Sequence, residues 1–100
     1  MKAVAASKPS DVRVYLALAR IESRLDRAHD ALRSLRRAEE LAPEDLDVLF
    51  ELGAVYGVMR QKLEATRKLE TFLAKSEGRE DLEARRVEAQ RIIQVMDGVI

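Results

Sequence analysis

Residues 9–41 shifted forward by 34 positions fall on a second copy of themselves, with Pro9 on Pro43, Asp11 on Asp45, Leu18 on Leu52, Ala31 on Ala65 and Leu35 on Leu69. Similar pairs fill the gaps: Tyr15 with Leu49, Ala19 with Gly53, Leu25 with Met59, and Ala38 with Phe72. A unit that recurs at such a period cannot bury its apolar face alone and stacks on its neighbour. Arrays of this kind offer an extended surface and no enclosed pocket. The expected activity is therefore binding.

Each copy reads as two helices. In the first copy they run over about 11–24 and 27–41, in the second over about 46–59 and 62–75, and a fifth helix runs from about residue 80 to near the end. Few residues are β-branched, and Ala, Leu, Arg and Glu dominate, which favours helix. Ser10 is the better cap of the first helix, and Asp45 caps the third. Pro43 stops the second, and Gly78 ends the fourth in a left-handed residue.

Helical spacing puts Val14, Leu18, Ile21 and Leu25 inward on the first helix, with Tyr15 beside them. The second buries Ala28, Ala31, Leu32, Leu35 and Ala38, and the third Leu49, Leu52, Val55 and Tyr56. Leu63, Ala65, Leu69, Phe72 and Leu73 follow on the fourth, then Leu82, Val87, Ala89, Ile93 and Met96 on the fifth. Short connections make consecutive helices antiparallel. The expected fold is all-α, with five helices forming two stacked antiparallel hairpins and a closing helix.

The motif Leu52-Gly53-Ala54-Val55-Tyr56, then Ala65, Leu69 and Phe72, resembles the tetratricopeptide repeat. Tyr15, Leu18, Ala19, Ala31, Leu35, Ala38 and Pro43 give the matching first copy, although Glu22 stands where that family has Tyr. The hairpin turns carry Asp26 and Arg60 in place of the family's Gly. The resemblance implies a short right-handed array: a flexible start over 1–8, repeats over 9–42 and 43–77, and a capping helix over 79–100. Gly53 and Ala19 would sit where paired helices cross most closely, since only small residues let backbones approach.

In that family the first helix of each hairpin lines a concave groove. The resemblance places Arg13, Leu16, Arg20, Ser23 and Arg24 there from copy one, with Asp47, Phe50, Glu51, Ala54, Gly57 and Val58 from copy two. Phe50 beside Ala54 and Gly57 would make a shallow pocket for an apolar anchor, or else pack against the next helix layer. Arg13, Arg20 and Arg24 would suit an acidic group. The Lys and Asn carboxylate clamp is absent, with Arg20 and Glu51 in its place.

The implied role is a protein-interaction module binding a peptide or partner helix. The alternative is a self-assembly unit: Ile92, Val95 and Val99 make a second apolar stripe on the fifth helix, through which the chain could form a homodimer.

Other chemistry finds little support. The chain has one histidine, His29, and no cysteine, so no metal site or cofactor is expected. Its serines have no base at a readable spacing, and adjacent carboxylates such as Glu39 and Glu40 diverge on a helix, so no enzyme is expected. With 18 basic and 18 acidic residues it lacks the positive excess a nucleic-acid partner needs. No stretch is long enough for membrane insertion. The apolar run from Ala3 to Ala6 is too short for a signal peptide. The expected compartment is cytoplasmic, or periplasmic for a chain whose signal sequence has been removed.

Overall fold

Two aspartates open the two hairpins. The computed structural model describes residues 11–98, and its first helix, α1 (Val12–Arg24), begins at Asp11, whose Oδ1 accepts from the Arg13 amide at 2.9 Å. Ser10, the expected cap, lies outside the described residues. Thirty-four residues on, Asp45 does the same for α3 (Leu46–Val58), accepting from the amides of Asp47 at 2.8 Å and Val48 at 3.2 Å. These bonds satisfy amides that a helix start leaves without intrahelical partners.

The partner helices are α2 (Ala28–Leu41) and α4 (Lys62–Lys75). Asp26 and Arg60 take left-handed φ values of 60° and 62° between the paired helices. Around each, the chain closes a Schellman turn. Arg27 N donates to Glu22 O at 2.8 Å and Gln61 N to Tyr56 O at 2.9 Å. Gly78 (φ 83°) ends the fourth helix region as expected. A single 3-10 turn, Glu80–Leu82, then leads into α5 (Glu83–Met96).

α3 packs against both α1 and α5, so these three helices form one layer, with α2 and α4 behind them. Two cores result. The first joins Tyr15, Leu16 and Ala19 of α1, Ala31, Leu35 and Ala38 of α2, and Val48, Leu52 and Val55 of α3. The second joins Leu49, Leu69, Phe72 and Ala89, with Leu82, Ile92 and Ile93 partly buried against it. Gly53 is buried under α4: a Cβ there would lie 2.4 Å from Leu69 Cγ.

The phase of α1 differs from expectation. Val14, Leu18, Ile21 and Leu25 are exposed, and Tyr15, Leu16 and Ala19 fill the core. The reason is that α2 and α3 both lie on the Tyr15–Ala19 side of α1, and no helix among the described residues covers the other side. Leu63 and Val87, expected inside, are also exposed. Val87 is the residue 34 beyond Gly53, and no second hairpin helix among the described residues stands over it as α4 stands over Gly53.

α5 is held by a polar anchor. Arg86, 34 residues after Leu52, replaces that apolar position with a guanidinium. Its Nη1 donates to Leu73 O at 2.7 Å and to the Oγ of buried Ser76 at 2.6 Å, closing the end of α4.

Candidate functional site: a two-part groove along α1, α3 and α5

One face of α3 carries Asp47, Phe50, Glu51, Ala54, Gly57 and Val58, spaced by three or four residues apart from two adjacent pairs. Its first half is charged. Arg20 Nε donates to Glu51 Oε2 at 3.1 Å, tying α1 to α3, and Arg85 pairs with Asp47, tying α3 to α5. The Arg85 guanidinium stands 5.9 Å from the Phe50 ring centroid, and Phe72 meets that ring at 5.4 Å, tilted by 54°. Half-buried Phe50 thus packs against the second core as well as facing the groove edge. It forms a bridge between layers and no open pocket.

The second half is apolar. Ala54, Gly57 and Val58 of α3 face Ile92, Val95 and Met96 of α5 across a cleft of about 260 Å³. Gly57 permits the approach, since a Cβ on it would lie 3.1 Å from Ile92 Cγ2. Val58 is 73% exposed and also lines a smaller hollow of about 130 Å³ with Ser23 and Asp26. The cleft continues past Arg60 and Lys62 toward Gly98. Glu88 and Arg91 stand at its edge. The hydrogen bond from Arg91 holds the Glu88 carboxyl below its usual range, against a smaller opposing effect of burial.

The groove residues expected from the sequence therefore separate. Ala54, Gly57 and Val58 come together in the cleft, with Ile92 and Val95, which the sequence had suggested for self-association. Ile92 is engaged with Gly57 and the second core, whereas Val95 is 40% exposed. Val99 lies outside the described residues.

Leu16 is a correction: it is 4% exposed inside the first core, where α3 packs across that part of α1. Arg13 is turned back on its own helix cap, bonding both carboxylate oxygens of Asp11 at 3.1 and 2.8 Å. That contact lowers the Asp11 pKa, and the Arg13 amide adds to the effect. Arg24 is exposed at the end of α1.

Sequence reasoning missed the share of α5. A further shift by 34 carries Glu51 onto Arg85, Ala54 onto Glu88, Gly57 onto Arg91 and Val58 onto Ile92. α5 is a third first-type helix and lines the groove as α3 does.

Among the described residues no cluster of three or more His, Asp or Glu side chains could hold a metal ion. No described helix is long and apolar enough to cross a membrane.

A hairpin repeated in register, with its first-type helices side by side along a groove, defines a helical-repeat protein. A family model for the tetratricopeptide repeat matches residues 12–55, the first hairpin and most of α3. The second hairpin repeats that unit, and the match together with the repeat supports a tetratricopeptide repeat family. Members of this family generally mediate protein–protein interaction as non-catalytic scaffolds. Comparisons with curated proteins and with solved structures give no significant match.

Proposed function

We propose that the chain is a protein-interaction adaptor without catalytic activity, binding a peptide or partner helix along the groove of α1, α3 and α5. The observation that carries this reading is the convergence of Ala54, Gly57, Val58, Ile92 and Val95 on one open apolar cleft. An exposed valine beside small residues suits insertion of one large apolar side chain, and such anchors dominate binding energy. The charged half, with Asp47–Arg85 and Arg20–Glu51, would then set orientation through rim contacts. Engagement of Ile92 within the fold favours this use of α5 over self-association through it.

The test is affinity capture with the intact chain, identification of the captured polypeptide, and titration of that purified polypeptide against wild type and Val58→Asp. Val58 is mostly exposed, so the variant should keep its melting temperature. Its affinity should fall at least about tenfold, ~1.4 kcal/mol. Unchanged affinity would overturn the reading.

A further inference from the structure

Val58 stands between two hollows of opposite charge. On the α1 side it shares a space of about 130 Å³ with Ser23, Ala28 and Val55, and the charged residue there is Asp26. On the α5 side it shares a space of about 560 Å³ with Gly57, Val95 and Met96, and the charged residues there are Arg60 and Lys62. The two hollows are the same place in successive repeats. A shift by 34 carries Ser23 onto Gly57, Asp26 onto Arg60 and Ala28 onto Lys62. The sign of the charge reverses between them while the backbone stays the same, with φ of 60° at Asp26 and 62° at Arg60.

The fold does not account for Arg60. A left-handed turn position favours glycine and tolerates aspartate, and an arginine there is strained. Asp26 and Arg60 are both exposed, and among the described residues neither forms an ion pair. Lys62 meets Asp97 at 3.6 Å, a contact between exposed groups that a ligand can displace. Arg24 and Arg27 flank Asp26 in sequence but do not line its hollow. Strain kept at a cleft, with no structural contact to offset it, marks a functional position.

Building on the groove reading, we infer that the groove selects a partner by the order of its charges. A cation of the partner faces Asp26, its apolar anchor rests on Val58, and a carboxylate faces Arg60 and Lys62. The occupant is a helical protein segment lying across the ends of α1, α3 and α5, where Ser23, Val58 and Met96 stand. On such a segment, residues four apart lie on one face at about 6 Å, which brings all three groups to bear. Complementary charges at a rim fix orientation, and like charges reject the wrong partner.

Three alanine-based helical peptides of about 15 residues test this. They carry Lys–Leu–Glu, Lys–Leu–Lys or Glu–Leu–Glu at four-residue spacing on one face and are titrated against the intact chain at low salt. Wild type should bind the Lys–Leu–Glu peptide about fivefold tighter than either of the others, with the difference shrinking at high salt. In Arg60→Glu/Lys62→Glu the preference should pass to Lys–Leu–Lys, and in Asp26→Lys to Glu–Leu–Glu, with helicity unchanged in both. A merely weakened fold would lower all three affinities together and could not exchange their order. An order that stays the same in wild type and both variants overturns the inference. Equal binding of the three peptides, lost in each case on Val58→Asp, overturns it and leaves the groove reading standing. Failure of all three to bind at millimolar concentration also overturns it, while the groove reading is decided separately by the captured polypeptide.

Discussion

Gly53 lies directly beneath Leu69, close enough that a Cβ on Gly53 would meet Leu69 Cγ and Cδ2 at 2.4 Å. In the first hairpin the same two places hold Ala19 and Leu35, both buried. The second hairpin therefore leaves no room at this place for the methyl group that Ala19 carries in the first. Gly53→Leu should cost about 1–3 kcal/mol or more, a large part of the roughly 5–10 kcal/mol available to so small a fold. Urea denaturation reads the loss directly. Gly53→Ala should cost less, because Ala19 shows that the crossing has a version with a methyl group.

Asp26 and Arg60 occupy the left-handed region that both Schellman turns require. Arginine is strained there, while aspartate tolerates it better. Arg60→Gly should stabilise the fold by about 0.5–1 kcal/mol despite the added freedom of the unfolded chain, and Asp26→Gly by less. Thermal melts of the two variants would show the order; the reverse order would contradict this account of the turns.

Arg86 ties α5 to the end of α4 through Leu73 O and Ser76 Oγ. In Arg86→Ala the carbonyl and the buried hydroxyl lose their partner, at a cost of about 1–3 kcal/mol. Hydrogen exchange should rise over residues 83–96 and change little over α1 and α2, since among the described elements α5 packs on α3, α4 and the 3-10 turn ahead of it, and not on α1 or α2. Equal loss of protection throughout would show that the five helices open as one unit.

The repeat, the Asp45 cap, the left-handed Gly78 and the close crossing at Gly53 were legible because each rests on a local rule or on the 34-residue register, whereas the cap of α1 is Asp11 in place of the expected Ser10. The orientation of α1 was not legible. It has two apolar faces, Tyr15–Leu16–Ala19 and Val14–Leu18–Ile21–Leu25, and periodicity cannot say which one meets a neighbour. On α3 both kinds of face are buried, Val48 and Leu52 in the first core and Leu49 in the second, so the ambiguity does no harm there. The cleft was half legible. Ala54, Gly57 and Val58 follow from the helical face, but their apposition to Ile92 and Val95 depends on how α5 docks.

The most direct test of the groove is amide chemical-shift mapping of the isotope-labelled chain as the captured partner segment is added. The account predicts that the largest changes fall on Ala54, Gly57, Val58, Ile92 and Val95, with smaller ones near Asp47 and Arg85. Changes concentrated instead on the exposed faces of α2 and α4, with the cleft residues unmoved, would contradict it.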